Sequence, residues 1–125
     1  PVILTPHPGE MARLCGVTAR EIESDRVKYA RDFAEKYGCI LVLKGANTVV
    51  AAPDGEITFN TTGNPGMSTG SGDVLAGITV SLLAQGLEPL AASKAAVYLH
   101  GEAGDKAAKK RGERAMLPTD LTEEL

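Results

Sequence analysis

Short apolar runs alternate with segments of helical periodicity along this chain of 125 residues. Val2–Leu4 and Cys39–Leu43 are continuous apolar runs, which are typical of strands buried on both faces of a parallel sheet. Val49–Ala52 and Glu56–Asn60 flank the turn-forming sequence Pro53-Asp54-Gly55, and this arrangement predicts a β-hairpin. Because strands alternate with helices, the pattern predicts an α/β layered fold.

Helix signals fall in four segments of the chain. Thr18 and Glu21 have the spacing of a capping box, which we expect at the start of one continuous helix. Gly38 is a suitable residue to end that helix, and Pro89 suits the first turn of the last one. The predicted helices cover residues 10–14, 18–37, 72–85 and 89–107.

Composition narrows the class of protein. The chain is long enough for one ordinary domain. Its net charge is −3, so it has no overall positive charge that would attract nucleic acid or an anionic membrane. No apolar run approaches the roughly 20 residues of a membrane span, and the first residues lack the features of a signal peptide. Cys15 and Cys39 are too few for a disulfide framework, so reduced thiols are expected. We therefore predict a cytoplasmic protein, with no metal site formed by its own side chains.

The segment Asn64–Ile78 carries the clearest chemical signal. Gly66, Gly70 and Gly72 lead directly into an apolar helix, and Asp73 lies at the junction. Glycine allows the backbone to approach a ligand closely, and a helix N-terminus offers unpaired N–H donors to phosphate. A carboxylate at such a junction can accept a proton from an attacking hydroxyl group. A tight loop with an aspartate near a helix start explains the local pattern equally well.

Two further loops follow predicted strands, in the position where open α/β sheets bind ligands. His7 has a proline on either side, and Glu10 is expected to cap or orient this loop. Lys44 follows the buried strand; its ammonium group suits phosphate, and Gly45 permits close approach of the backbone. From these residues alone, a structural explanation of each loop remains open. His7 could belong simply to a turn stiffened by proline, and Lys44 could be a surface lysine at the start of a hairpin.

Together these segments resemble the ADP/ATP-dependent NAD(P)H-hydrate dehydratase family of the ribokinase-like superfamily. The resemblance extends from Val2 to about Asp120, and its motifs occur in the order expected for the family. It implies a ribokinase-like layered fold, with a central, mostly parallel sheet flanked by helices and a β-hairpin. Because the family's catalytic domain is longer than this chain, residues 1–125 are expected to be the C-terminal portion of a single domain. The motifs are Thr5–Glu10, Leu43–Thr48, Asn60–Met67 and Gly70–Asp73.

The resemblance also implies a role for individual residues. Asp73 is expected to be the catalytic base, and both Asp73 and His7 are expected to contact the substrate. The backbone amides of Gly70, Ser71 and Gly72 are expected to form an anion hole, although Ser71 stands where threonine is common in the family. The expected nucleotide contacts are Lys44, Gly45, Ala46, Asn47, Thr48 and Gly72.

The implied reaction repairs a damaged nicotinamide cofactor. The substrate is (6S)-NAD(P)H hydrate, whose 6-hydroxyl is phosphorylated by ADP or ATP before elimination of phosphate restores NAD(P)H. The His-Pro-Gly-Glu sequence resembles the branch of the family that uses ADP. Mg²⁺ is expected to be held mainly by the nucleotide phosphates. A homo-oligomer is expected, and a fused epimerase domain in the parent chain is left open.

Two alternative functions remain at this point. The first is a small-molecule kinase of the same superfamily that acts on a vitamin-precursor alcohol, and the second is a non-catalytic nucleotide-binding module. His7 in its Thr-Pro-His-Pro-Gly-Glu context and the Asn-Pro-Gly-Met sequence favour the dehydratase over the kinase. Asp73 argues against a module without catalysis. The sequence leaves the preference between NADH hydrate and NADPH hydrate open.

Overall fold

The computed structural model describes residues 2–60 and 71–111, together with Thr122 and Leu125. These residues divide between two units, residues 1–60 and residues 61–125. The elements of the first unit are β1 (Ile3–Leu4), α1 (Pro8–Cys15), α2 (Ala19–Ser24), α3 (Arg26–Tyr37), β2 (Ile40–Leu43), β3 (Thr48–Ala51) and β4 (Ile57–Asn60). The elements of the second unit are α4 (Ser71–Ala84) and α5 (Pro89–Arg111).

The sheet of the first unit has its strands in the order β1-β2-β3-β4. β1 pairs with β2 in parallel, with Ile3 opposite Ile40. β3 is antiparallel to β2 and to β4, so the described part of the sheet is mixed, with one parallel pair. The α/β fold and its hairpin are confirmed, but the described strands are not mostly parallel, because the chain reverses both before and after β3.

The hairpin turn forms where the sequence predicts it. Gly55 has φ = 94°, a left-handed conformation that favours glycine, and its N–H bonds to the carbonyl of Ala52 at 3.0 Å. The Asp54 carboxylate accepts a hydrogen bond from the N–H of Glu56 at 2.9 Å. This side-chain bond mimics a backbone turn, which is the usual role of aspartate at such positions.

The apolar core of the first unit lies between the helices and one face of the sheet. All four residues of β2 are buried, which explains why its sequence is a continuous apolar run. Ala30 and Ala34, one turn apart on α3, are fully buried, and their small side chains allow the helix to approach the strands closely. The other buried members of this cluster are Met11, Ala12, Ile22, Leu41, Leu43, Val49 and Ala51.

The prediction of one continuous helix over residues 18–37 is wrong. Its start is confirmed, because the Thr18 hydroxyl accepts a hydrogen bond from the N–H of Glu21 at 3.1 Å. The helix then breaks at Asp25, which has φ = −155° and ψ = 68° and caps both α2 and α3. The Ser24 hydroxyl donates to the carbonyl of Glu21, and the Asp25 carboxylate accepts from the N–H of Lys28. Such short polar side chains compete with the helical hydrogen bonds of the backbone.

In the second unit, α4 and α5 pack against each other. Ala103 and Ala107 of α5 are buried, with Val74 of α4 packed against them. The Glu88 carboxylate accepts hydrogen bonds from the N–H groups of the first turn of α5. α4 matches the predicted helix within one residue, whereas α5 continues four residues beyond the predicted end at 107. Among the described helices, none has the length and apolar character needed to cross a membrane.

Replacing the cap at the helix break tests its contribution to stability. We expect Asp25→Ala to lower the free energy of unfolding by about 1 kcal/mol, because the N-terminal donors of α3 lose their acceptor. Asp32→Ala is the matched control, since Asp32 is exposed in the middle of the same helix, where alanine is favourable. Urea denaturation of the intact protein measures both changes. Equal effects of the two substitutions would contradict the role of Asp25 as a cap.

Candidate functional site

Two polar loops lie side by side at one edge of the sheet of the first unit. β1 and β2 are parallel, so their carboxyl ends meet at the same edge. The N–H of Lys44, just after β2, donates to the carbonyl of Pro6, just after β1, at 3.0 Å. The structure therefore brings the predicted substrate residue His7 and the predicted nucleotide loop into adjacent positions. We call residues 44–47 the Lys44 loop.

His7 is held in place by a reciprocal capping box at the start of α1. Its Nδ1 accepts a hydrogen bond from the N–H of Glu10 at 3.2 Å, and the Glu10 carboxylate accepts from the N–H of His7 at 3.0 Å. Because Nδ1 is an acceptor here, this bond assigns the proton of the neutral ring to Nε2. The His7 side chain is 54% exposed, so solvent and ligands can reach Nε2–H, which also lies 3.4 Å from the Glu10 carboxylate.

Glu10 links the two loops electrostatically. The hydrogen bond from the backbone N–H of His7 lowers the pKa of Glu10, and partial burial opposes this shift. The charges of Lys44 and Arg13 lower the pKa further, as does that of His7 when its ring is protonated. The carboxylate is therefore ionised at neutral pH and is close enough to Lys44 to be stabilised by it. The expected capping role of Glu10 is confirmed.

A cleft of about 430 Å³ borders the first loop. This volume is within the range of small-molecule sites in proteins. Glu10 and Arg13 are the charged residues that line it, and most of the other lining residues are apolar. His7 is not among its lining residues, which are Leu4, Thr5, Pro6, Glu10, Arg13 and Leu14.

The Lys44 loop is fixed by Arg26, a residue that sequence reasoning missed. Arg26 Nη2 donates to the carbonyl oxygens of Leu43 at 3.1 Å and Asn47 at 3.0 Å. The carbonyl oxygen of Lys44 accepts a longer hydrogen bond from the same nitrogen, at 3.4 Å. The Thr48 hydroxyl donates to the carbonyl of Gly45 at 3.3 Å. Lys44 is half-buried, whereas residues 45–47 are exposed. The predicted nucleotide loop is thus a turn whose carbonyl oxygens are bonded to the protein itself.

The structure shows a further reason for glycine at position 45. A Cβ atom built on Gly45 would lie 2.8 Å from Cζ of Arg26, closer than real Cβ contacts. Glycine at this position is also expected to permit close approach of a ligand to the backbone. In the structure, a side chain of the protein makes that close approach.

The predicted catalytic base lies in the second unit. Asp73 is exposed in the first turn of α4, and Gly72 precedes it in the same turn. A carboxylate in this position is favoured by the helix dipole. Gly70 lies outside the described residues, as do Asn64 and Met67, and the side chain of Ser71 is not described. The anion hole, and a joint site of Asp73 with His7 and Lys44, therefore stay predictions.

Metal-binding side chains do not cluster in the part of the chain that the structure describes. Within residues 2–60 and 71–111, no group of three or more histidine, cysteine, aspartate or glutamate residues is placed to hold a metal ion.

Known proteins with similar sequences are enzymes of nicotinamide cofactor repair. A bifunctional NAD(P)H-hydrate repair enzyme of Moorella thermoacetica is 57% identical over 122 residues, which are 97% of this chain and 23% of that protein. The ADP-dependent (S)-NAD(P)H-hydrate dehydratase of Bacillus subtilis is 39% identical over 124 residues, or 98% of this chain and 45% of that protein. The chain thus spans less than half the length of these curated relatives.

Solved structures agree with the sequence comparison. The B. subtilis ADP/ATP-dependent NAD(P)H-hydrate dehydratase, co-crystallised with ATP and Mg²⁺, matches with a TM-score of 0.95 at 38% identity. The match covers 99% of this chain and 45% of that one. A ribokinase-like protein of Enterococcus faecalis matches with a TM-score of 0.83 at 37% identity. The ribokinase-like fold class is therefore confirmed.

The sequence profile of the NAD(P)H-hydrate dehydratases matches residues 1–125, the whole of this chain. That match, together with the paired His7 and Lys44 loops and the relatives just described, shows that the chain belongs to the NAD(P)H-hydrate dehydratase family.

Proposed function

We propose that this chain takes part in the nucleotide-dependent dehydration of (6S)-NAD(P)H hydrate to NAD(P)H. The observation that carries the proposal is the pairing of the His7 loop with the Lys44 loop through the Lys44–Pro6 hydrogen bond. In a chain of the NAD(P)H-hydrate dehydratase family, this pairing puts a hydrogen-bond donor for the hydrate beside a cationic loop for the nucleotide.

In this proposal the Lys44 loop binds the adenine nucleotide. The ammonium group of Lys44 is a compact positive charge that attracts phosphate oxygens. Gly45, Ala46 and Asn47 are exposed and accessible to a ligand, and Thr48 completes the turn. Gly72, at the start of α4, is the second proposed contact to the nucleotide.

His7 and Asp73 are the proposed substrate contacts. Nε2–H of His7 would donate to an oxygen of the hydrate, while Glu10 keeps the ring oriented through the capping box. Asp73, in the first turn of α4, would accept the proton of the 6-hydroxyl. That oxygen then attacks the terminal phosphoryl group, whose bond to the remaining nucleotide breaks.

The second half of the reaction is an elimination. The phosphate leaves with the electrons of the C6–O bond, and loss of a ring proton restores the dihydropyridine of NAD(P)H. The proposed anion hole, formed by the amides of Gly70, Ser71 and Gly72, would stabilise charge on the transferring group. Mg²⁺ bound to the nucleotide phosphates would neutralise part of their charge when present.

ADP is the proposed phosphoryl donor, with ATP as a second donor. The support is that the B. subtilis relative is known as an ADP-dependent dehydratase, and that an enzyme from that organism was co-crystallised with ATP and Mg²⁺. Nothing in the Lys44 loop selects between the two nucleotides by itself. The preference between NADH hydrate and NADPH hydrate is likewise left to measurement.

The larger assembly is also part of the proposal. We take residues 1–125 to be the C-terminal portion of a single ribokinase-like domain, and the match to 45% of the B. subtilis chain supports this. The M. thermoacetica relative is named bifunctional, so a fused epimerase domain is one arrangement for the parent protein. A cytoplasmic homo-oligomer that binds neither nucleic acid nor membrane completes the proposal.

Product analysis tests the function and the role of Asp73 together. The intact protein, given NADH hydrate, Mg²⁺ and ADP or ATP, should release inorganic phosphate and NADH in equal amounts. Asp73→Asn should lower the rate by about 100-fold or more and leave nucleotide affinity nearly unchanged, because only the base is lost. Asp32→Asn, on the exposed face of α3, is the control and should retain the rate.

The outcomes separate the candidate functions. A stable phosphoester on a different alcohol would indicate the alternative small-molecule kinase. Binding of ADP without turnover of any hydrate would indicate a module without catalysis. A normal rate in the Asp73→Asn protein would end the assignment of Asp73 as the base.

Two substitutions test the division of ligands between the loops. His7→Asn should weaken binding of NADH hydrate by about 10-fold, because asparagine keeps the helix cap but lacks the Nε2–H donor. Lys44→Met should weaken the binding of ADP by at least about 10-fold as well and leave the binding of NADH hydrate nearly unchanged. Isothermal titration calorimetry measures both ligands on both variants. If His7→Asn weakened ADP more than the hydrate, the two assignments would have to be exchanged.

A further inference from the structure

We propose that Arg26 is a positioning residue for nucleotide binding, because its guanidinium holds the Lys44 loop in its binding shape. This inference rests on the proposed function, in which that loop binds ADP or ATP. Arg26 Nη2 lies within hydrogen-bond distance of the carbonyl oxygens of Leu43, Lys44 and Asn47, on both sides of the turn. One side chain therefore closes the loop at its two ends.

The surroundings of Arg26 favour this role over that of a surface charge. Its side chain is only 16% exposed, and Nη1 forms an ion pair with Glu23 at 3.0 Å. Hydrogen bonds from a charged donor are stronger than neutral ones, and the planar guanidinium fork gives them direction. A lysine would keep the charge but could not make the same set of bonds to carbonyl oxygens and carboxylate.

Arg26 also determines which backbone groups the loop offers to a ligand. The carbonyl oxygens of residues 43, 44 and 47 face Arg26, and that of Gly45 accepts from Thr48. Within residues 2–60, no group accepts a hydrogen bond from the N–H of Gly45 or Ala46. The loop thus offers N–H donors and the positive charge of Lys44, while the charge of Arg26 is paired with Glu23; the N–H donors and the lysine suit an anion.

The helix break described above explains how Arg26 reaches the loop. Asp25 ends α2 and begins α3, so Arg26 is the first residue of α3. α3 leads through Gly38 into β2, and its first turn therefore lies near the carboxyl end of that strand, where the Lys44 loop begins.

The test compares ADP affinity with hydrate affinity in variants of the intact protein. Arg26→Met should raise the Kd for ADP with Mg²⁺ by about 10-fold and change the Kd for NADH hydrate by less than about 2-fold. Arg26→Lys should give an intermediate loss of ADP affinity, because the charge remains. Glu23→Gln is the matched control: it removes the ion pair but keeps the bonds to the carbonyl oxygens, and it should leave ADP affinity unchanged.

A double-mutant cycle with position 45 tests the contact directly. Gly45→Ala should weaken the binding of ADP about as much as Arg26→Met does, because the added methyl group displaces the guanidinium. In the Arg26→Met background the same change should add little, since the atoms that it meets are gone. The proposal would be overturned if the fold-change in Kd for ADP of the double variant were the product of the two single fold-changes, because the two positions would then act independently.

Two further outcomes would also overturn the proposal. Unchanged ADP affinity in the Arg26→Met protein would show that Arg26 does not position the nucleotide loop. Equal loss of ADP and hydrate affinity would show that Arg26 only supports the fold. Lys44→Met, measured in parallel, separates this inference from the proposed function. If Lys44→Met weakens ADP and Arg26→Met does not, the nucleotide site stands without Arg26. If neither variant changes ADP affinity, the nucleotide site itself is wrong.

Discussion

The parallel pairing of β1 with β2 is the constraint on which the arrangement of the first unit depends. Ile3 and Ile40 lie opposite each other, and the Lys44–Pro6 hydrogen bond extends the pairing one step beyond the strands. A parallel pair places equivalent ends at the same edge of a sheet, so two loops that are 37 positions apart in sequence become neighbours. If the register slipped by one residue, the side chains of β1 would exchange faces and the loops would separate.

The local features of the fold were predictable because their causes are local. The buried strand β2, the hairpin turn at Gly55 and the cap at Thr18 each follow from residues within a few positions of one another. The capping box around His7 is of the same kind, since its donors and acceptors are three residues apart. For such features, the side-chain chemistry and backbone geometry of a short segment are enough to predict the local structure.

The features that sequence reasoning missed depend on competition or on distance. The helix signal of residues 18–37 was strong, but at Ser24 and Asp25 the side chains bond to the backbone and interrupt it. Arg26 forms hydrogen bonds with carbonyl oxygens 17 to 21 residues away in the sequence. Patterns of hydrophobic and polar residues do not predict contacts of this kind. The family resemblance identified His7, Lys44 and Asp73, but it named ligand contacts and not the side chain that shapes a loop.

The close approach of Arg26 to Gly45 has a consequence for how this loop evolves. While the guanidinium occupies the space beside Gly45, a Cβ atom at that position would force the guanidinium to move. A lineage that loses Arg26 first opens that space, and position 45 then becomes free to vary. The reverse order passes through a protein in which both groups compete for one volume. We therefore expect a side chain at position 45 to be tolerated more easily after Arg26 is lost than while the guanidinium is in place.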